Sequence, residues 1–137
     1  MKKIILILSL MATILSANNA EELFMNKCAI CHVMERPADK SEMVAPPAKG
    51  IMFHMGEEIG SDEKILAHIK SFTMNPTKAK AICRSVRRFG LMPSQKENIT
   101  QEELDIVAQW MIENLKMTPE EYKNRKQRGQ GKGKGRP

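Results

Sequence analysis

The chain has 137 residues, of which 28% are charged and 4% are aromatic, and it contains three cysteines. This length allows one domain with a modest core, and so few cysteines exclude a secreted fold held together by disulfides. The formal net charge is +6, but it is unevenly placed. Two lysines precede residue 4 and seven basic residues follow residue 122, which leaves 13 basic and 16 acidic residues, net −3, between Asn18 and Tyr122. The excess positive charge therefore belongs to the C-terminal tail.

The first 17 residues have the organisation of a secretory signal peptide. A positive start at residues 1–3 is followed by a nearly unbroken apolar run over residues 4–15, which is too short for a membrane span. Small residues at 16 and 17 provide a cleavage site, and Ala20 provides a second one. We therefore expect residues 1–17 to direct export to a bacterial periplasm. The alternative is an uncleaved segment that tethers the domain to the inner membrane.

A first helix is predicted over Glu21 to Cys28, because apolar residues recur there at helical spacing. It leads into Cys28-Ala29-Ile30-Cys31-His32, the attachment sequence for c-type haem. On a helical turn Cys28 and Cys31 share a face, so both sulfurs can form thioethers with one haem while His32 reaches the iron. We therefore expect one haem c, bound covalently through both cysteines.

A zinc site and a redox-active cysteine pair are the alternatives for this motif. Zinc would require about two further Cys or His ligands at short spacing, and the remaining cysteine and histidines form no second paired cluster. A thioredoxin-like pair would require alternating strands and helices, whereas the flanking sequence predicts helices. Both alternatives are weaker than haem attachment.

The middle of the chain predicts a loop and two helices. Prolines at 37, 46 and 47 exclude a regular helix over Glu35 to Gly50. A helix is expected to begin at Ser61, where two acidic residues follow an N-cap residue. Another is expected from Asn75-Pro76 to Gly90, where the glycine provides a stop signal.

Met92 is the predicted sixth ligand of the haem iron. An electron-carrying haem takes a ligand opposite His32, and methionine sulfur is the neutral donor that raises the reduction potential. Pro93 pushes Met92 out of helical geometry into an extended segment, from which a long side chain can cross a cavity. His54 and His68 are the alternatives for this position.

Two further groups of residues precede the last helix. Cys83 is predicted to be a half-buried structural thiol within the helix that ends at Gly90. Arg84, Arg87 and Arg88 are predicted to form a solvated face, from which one arginine could pair with a haem propionate.

The last helix of the domain has the clearest pattern. Thr100 and Glu103 form a capping box that begins it. A stripe of apolar residues at helical spacing follows, made of Leu104, Val107, Ala108, Met111 and Leu115.

Residues 118–137 are predicted to be a disordered basic tail. From Lys123 onward the segment has four glycines and no apolar side chain, so it cannot bury enough surface to offset chain entropy. Such an arm could steer the protein toward an acidic partner or an anionic membrane surface, or it could be solvated without a partner. Because the chain is expected to be exported, we predict no nucleic-acid partner.

These features follow one another from the signal segment through the haem motif to Met92-Pro93 and the last helix. With its features in this order, the chain resembles small monohaem class I cytochromes c of bacterial periplasms. The resemblance covers residues 20 to 117. It implies an all-α fold, in which a small cytochrome c-like helical domain over residues 18–117 wraps around one covalent haem. Cys28 and Cys31 would hold the porphyrin, and His32 and Met92 would be the axial iron ligands.

Two contacts also follow from the resemblance. Pro46 or Pro47 would occupy the position whose preceding carbonyl accepts the ring N–H of His32. Phe24 and Trp110 would meet where the first and last helices cross. The chain departs from the family pattern in lacking a glycine near Phe24, in an insertion-like stretch over Ile51 to Gly60, and in its basic tail.

The predicted function is single-electron transport in a periplasmic respiratory chain, carried out by a monomer that is not an enzyme. Its partners would be the proteins that donate and accept the electron. Two alternatives stay open. The chain could be a fixed haem subunit of a respiratory complex, or a haem protein with an open distal site that acts as a gas sensor or a peroxidase-like enzyme.

Overall fold

The computed structural model describes residues 19–130, and this part of the chain is all-helical, without strands. The predicted all-α class is confirmed. The predicted signal segment, residues 1–17, and the end of the basic tail, residues 131–137, lie outside the described residues. None of the described helices is long and apolar enough to cross a membrane. The helices are α1 over residues 19–27, α2 Ala48–Glu58, α3 Asp62–Met74, α4 Val86–Phe89, α5 Gln101–Leu115 and α6 Pro119–Gln130.

Helix α5 lies at the centre, and α2 and α3 pack against it. It begins at the predicted capping box, in which the Glu103 amide donates to the Thr100 hydroxyl (3.1 Å) and the Thr100 amide donates to the Glu103 carboxylate (2.9 Å). The predicted apolar stripe is buried together with Trp110 and Ile112. The prediction for this helix is therefore confirmed, as is the helix predicted to begin at Ser61, which is the N-cap residue of α3.

Helix α1 packs on α5 through two aromatic rings. Phe24 is fully buried, and its ring centroid lies 5.1 Å from that of Trp110. Such a pair contributes about 0.5–1.5 kcal/mol beyond the burial of its area. The predicted contact between Phe24 and Trp110 is confirmed, and it fixes the end of α1 that leads into the haem motif.

Helix α2 is absent from the sequence prediction, which places a loop over Glu35 to Gly50 and an insertion-like stretch after it. The loop is present up to Pro47, the N-cap residue of α2, which makes no side-chain cap hydrogen bond. Carbonyls from much earlier in the chain take that role. The amide of Ala48 donates to the carbonyl of Val33 (2.8 Å), and the amide of Lys49 donates to that of Met34 (3.1 Å). Because these caps are not local, the sequence pattern does not reveal them.

The helix predicted from Asn75 to Gly90 is wrong over most of its length, since only Val86–Phe89 is helical. A local turn competes with it, in which the amide of Lys80 donates to both the hydroxyl (3.3 Å) and the carbonyl (3.2 Å) of Thr77. Cys83 consequently lies in the turn before α4, although it is half-buried as predicted. Gly90 ends α4 with a φ of 78°, a left-handed conformation that favours glycine, so the predicted stop signal is correct.

The prediction of disorder from residue 118 is wrong for Pro119–Gln130, which forms α6. A second capping box begins this helix, in which the Glu121 amide donates to the Thr118 hydroxyl (3.2 Å) and the Thr118 amide donates to the Glu121 carboxylate (2.8 Å). The ring of Tyr122 then packs on Phe53 of α2, with 5.1 Å between centroids. The capping box at Thr118 and the aromatic contact between Tyr122 and Phe53 thus stabilise a helix in a segment whose polar composition predicts disorder.

Candidate haem-attachment site

The segment from Cys28 to His32 forms one helical turn that continues from α1. The amide of Cys28 donates to the carbonyl of Phe24 (2.8 Å), so the first cysteine is held by the helix that packs on α5. The carbonyl of Cys28 accepts from the amides of Cys31 (3.2 Å) and His32 (2.8 Å). The two cysteines are therefore three residues apart on a single turn, as the motif requires.

The two thiols of this turn differ in environment. Both are free, but Cys28 is half-buried whereas Cys31 is exposed. Burial raises the pKa of the Cys28 thiol to about 11. The Cys28 thiol is therefore protonated at neutral pH and has little thiolate character.

His32 is held in one orientation by the backbone of the following loop. Its Nδ1 donates to the carbonyl oxygen of Pro46 at 2.8 Å, so the proton of the neutral ring lies on Nδ1 and the lone pair lies on Nε2. Burial lowers the pKa of His32, although the hydrogen bond to Pro46 opposes that shift. The acceptor is the carbonyl that precedes Pro47, so the structure selects Pro47 from the two prolines that the resemblance offered.

The loop that runs from His32 to the start of α2 is fixed at both ends, which keeps the carbonyl of Pro46 beside His32. Val33 and Met34, the two residues after His32, accept the hydrogen bonds that cap α2. An exposed ion pair between Glu35 and Lys49 (2.6 Å) lies next to this cap. The ring of His32 and the carbonyl of Pro46 are therefore both held next to the N-terminal end of α2.

Met92 is half-buried in an irregular segment between α4 and α5. Gly90 turns the chain at one end of this segment. At the other end, the hydroxyl of Ser94 donates to the carbonyl of Met74 (2.7 Å), and the amide of Gln95 donates to the carbonyl of Thr73 (3.0 Å). The segment is therefore fixed to the C-terminal end of α3. Within the described part of the chain, no hydrogen bond joins Met92 to the turn of His32, so its place opposite His32 stays a prediction.

Large apolar side chains are exposed close in sequence to each predicted haem-binding residue. Six such residues are exposed in the described part of the chain, and five of them flank the haem motif, the Pro46 loop or Met92. These five are Met25, Ile30, Val33, Val44 and Leu91. Clusters of exposed apolar side chains are typical of binding surfaces. Most of the large exposed apolar side chains in the described residues thus lie on the segments that carry the predicted ligands.

These residues fit a covalently attached haem c. Two thiols share one turn, an imidazole has its Nδ1 proton held and its Nε2 lone pair available, and apolar side chains lie on the neighbouring segments. Among residues 19–127, no three His, Cys, Asp or Glu side chains are grouped so that they could hold a metal ion together. A His/Met ligand pair on a haem iron does not require such a group.

The two alternative iron ligands have other neighbours. His68 stacks on Phe72 of its own helix, with ring centroids 5.6 Å apart and an interplanar angle of 15°. His54 lies in α2, packs edge-on against Phe53 and lines a cleft. Burial lowers the pKa of both histidines. Among the described residues, neither ring forms a hydrogen bond or ring contact with the turn of His32.

The cleft beside His54 is the part of this region that the sequence did not predict. It encloses about 290 Å³, and both Pro46 and Pro47 line it, so it lies next to the backbone that holds His32. Cys83 and four arginines also line it. Arg84, Arg87 and Arg88 are all exposed, in agreement with the predicted solvated face, and Arg84 and Arg88 also line the cleft, whereas Arg87 does not.

Comparisons with known proteins give little further information about this site. No protein-family model matches the chain, and no solved structure matches it. Among curated proteins, the chain is similar to an uncharacterized protein of Aquifex aeolicus (strain VF5), with 23% identity over 110 residues, which cover 69% of this chain and 72% of that one. The name of this relative states no activity, so the function is inferred from the residues themselves.

Proposed function

We propose that this protein is an exported single-electron carrier with one haem c. Cys28 and Cys31 would form the two thioethers, and His32 and Met92 would hold the iron. The observation that carries the proposal is the hydrogen bond from His32 Nδ1 to the carbonyl of Pro46, made by a histidine that directly follows a Cys-x-x-Cys turn. A histidine that ligates a metal through one ring nitrogen generally donates its other N–H to a backbone carbonyl or a carboxylate.

A bound haem c supplies one-electron redox chemistry at its iron. The chain's own residues anchor, orient and shield that group. The turn of Cys28 and Cys31 provides two covalent attachments, and Pro46 holds the proton of His32 at Nδ1, which makes Nε2 a stronger donor. The apolar side chains near the motif and near Met92 would exclude water. If His32 and Met92 both held the iron, small molecules would be excluded from it, which would favour electron transfer over catalysis.

The attachment is tested by mass spectrometry of the full chain, expressed with its own signal segment in a host that has haem-attachment machinery. We expect the wild-type protein to carry one haem and the double variant C28A/C31A to carry none. The variant Cys83→Ala is the matched control, because it removes the third cysteine and should keep the haem. A wild-type protein without tetrapyrrole, or haem retained by the double variant, would contradict the proposal.

The sixth ligand is tested separately by absorption spectroscopy of the oxidised protein. Met92→Ala should lose the sulfur-to-iron charge-transfer band and gain a high-spin spectrum that responds to carbon monoxide after reduction. Met25→Ala is the control, since Met25 lies near the motif but is 49% exposed. An unchanged spectrum in Met92→Ala would instead indicate His54 or His68 as the ligand. A high-spin spectrum in the wild-type protein would indicate an open distal site.

A further inference from the structure

The charged residues of α6 are sorted along the helix. Both acidic residues, Glu120 and Glu121, lie in its first turn. From Lys123 to the end of the chain there are seven basic residues and no acidic one. The preceding part of the chain, from Asn18 to Tyr122, has a net charge of −3. The cations beyond Tyr122 are therefore opposite in sign to the domain that carries them.

Contacts with α2 hold the start of this cationic segment. The ring of Tyr122 packs on Phe53, with 5.1 Å between centroids, and the guanidinium of Arg125 lies 4.6 Å from the centroid of the same Phe53 ring. The hydroxyl of Tyr122 donates to the carboxylate of Glu57 (2.7 Å), and Lys126 forms an ion pair with that carboxylate (3.0 Å). The cationic segment therefore begins at a defined place on the domain.

The basic side chains of α6 differ in how they face the solvent. Arg125 is half-buried beside Phe53, whereas Lys123 and Lys126 are exposed. Lys126 already has Glu57 as a partner. Lys123 forms no ion pair with the described residues. The charge of Lys123 is therefore available to a partner outside the chain, whereas that of Arg125 lies toward α2.

The composition of the segment indicates the chemistry of its partner. Between Lys123 and Arg136 there is no apolar or aromatic side chain, so the segment lacks the large anchors that specific protein interfaces place in pockets. Positive charge is what it offers. An anionic bilayer surface attracts a polybasic segment without pockets, and each Lys or Arg near that surface increases the affinity about fivefold. A bilayer therefore fits the segment better than an acidic protein does.

We propose that the segment from Lys123 to the C-terminus binds the anionic headgroups of a phospholipid bilayer, and that α6 connects the domain to this membrane-bound segment. Of the proposed function, this inference rests on export alone and holds with or without a haem. Headgroups repel the net negative charge of the domain, so contact is confined to the basic segment. Because Arg125 lines the same cleft as Pro46 and Pro47, that side of the domain would lie nearest the bilayer.

Binding is tested by sedimentation of the full protein, purified from an exporting host, with two kinds of vesicle. One kind contains equal parts of phosphatidylglycerol and phosphatidylcholine, and the other contains phosphatidylcholine alone. We expect saturable binding to the anionic vesicles that weakens as sodium chloride is added, and much weaker binding to the neutral ones. Equal binding to both would assign the attachment to the apolar run over residues 4–15 and overturn the proposal.

The position of the charge is tested with two variants that each lose three cations. K132Q/K134Q/R136Q should weaken binding to the anionic vesicles about a hundredfold, because three factors of about five are lost. The matched control is K64Q/K78Q/K96Q, which removes three exposed lysines of the domain and should bind nearly as the wild type does. Equal weakening in the two variants would reduce the result to net charge and overturn the proposal.

The part played by α6 is tested with two single variants on that helix. Lys123→Gln should weaken binding about fivefold, whereas Arg125→Gln should have a smaller effect because its guanidinium lies against Phe53. An equal or larger loss in Arg125→Gln would contradict the orientation of α6 toward the bilayer. Wild-type protein that does not sediment with anionic vesicles would overturn the whole proposal and favour an acidic protein as the partner. The haem content of the protein does not enter any of these results, so their failure is distinct from failure of the proposed function.

Discussion

Helices α5 and α6 begin with the same signal but are held in the fold very differently. Each starts at a threonine that forms a reciprocal capping box with a glutamate three residues later. Helix α5 then buries seven side chains in the centre of the domain. Helix α6 is polar along most of its length and rests on α2 mainly through Tyr122, Arg125 and Lys126.

The difference shows that a capping box determines where a helix begins, whereas burial determines how firmly it is held. A box satisfies amides that would otherwise have no partner, and this contribution is local. Removal of apolar side chains from water couples a helix to the rest of the domain. We therefore expect α5 to unfold only with the whole domain, and α6 to detach and reattach by itself.

The largest effect should come from the buried face of α5. Leu104 is 1% exposed, and a leucine-to-alanine change at such a site leaves a cavity that costs about 2–5 kcal/mol. Leu104→Ala should lower the free energy of unfolding by that amount, measured by urea denaturation. Ile106→Ala on the same helix is the control, because Ile106 is 42% exposed, and it should cost much less. Equal losses in the two variants would contradict the central position of α5.

The same distinction explains how much the sequence could predict. The apolar stripe of α5 and the turn of Cys28 to His32 are local patterns, and the structure contains both. The start of α2 depends on the carbonyls of Val33 and Met34, which lie much earlier in the chain. Residues near Ala48 therefore do not indicate where this helix begins. The cleft beside His54 likewise combines arginines from three separate segments of the chain.

Helix α6 and the segment before α4 show the two ways in which the local pattern misled. The capping box of Thr118 and Glu121 favours a helix, whereas the polar composition of the tail favours disorder, and the structure agrees with the box. Before α4 the spacing of apolar residues favours a helix, whereas the structure contains a turn that Thr77 forms with Lys80. The position of Met92 relative to His32 depends on contacts between distant segments of the chain, which no local pattern determines.

Removing each capping box tests the comparison directly. Replacing a capping threonine by alanine costs about 1 kcal/mol of helix stability. Thr100→Ala should therefore lower the global free energy of unfolding by about that amount, measured by urea denaturation. Thr118→Ala should leave this global value unchanged and should instead speed hydrogen exchange of the α6 amides. A global loss in Thr118→Ala would show that α6 unfolds together with the core.

The attachment of α6 should also depend on pH through His54, which lies beneath it. Burial is the main reason that the pKa of this ring lies below its ordinary value of 6.5. Charged side chains act in both directions, since Arg125 and Arg36 lower this pKa and Glu57 and Glu58 raise it. The docked state thus favours neutral His54, and detachment of α6 returns the pKa toward 6.5. Docking is therefore most stable above that pH and weakens as the pH falls below it.

This pH dependence can be followed by the NMR signals of the Tyr122 ring between about pH 7.5 and about pH 5.5. The hydrogen bonds from Tyr122 and Lys126 lower the pKa of Glu57, so this carboxylate stays ionised over the same range. We expect the Tyr122 signals to move toward those of a detached helix at the lower pH. In His54→Asn they should stay constant. An equal pH response in this variant would assign the effect to another group.

The smallest effect should come from the hydroxyl of Tyr122, which donates to the Glu57 carboxylate at 2.7 Å. Tyr122→Phe keeps the ring packing on Phe53, so docking of α6 should weaken by at most about 1 kcal/mol, the value of one hydrogen bond. The ion pair between Lys126 and Glu57 (3.0 Å) then carries a larger share of the attraction, and it is exposed to solvent. Salt screens such a pair, so exchange of the α6 amides should depend more steeply on salt in Tyr122→Phe than in the wild type, while the urea midpoint stays the same. If the urea midpoint of Tyr122→Phe fell as that of Leu104→Ala is expected to fall, α6 would belong to the same cooperative unit as α5. The two helices would then unfold together, although only α5 is buried in the core.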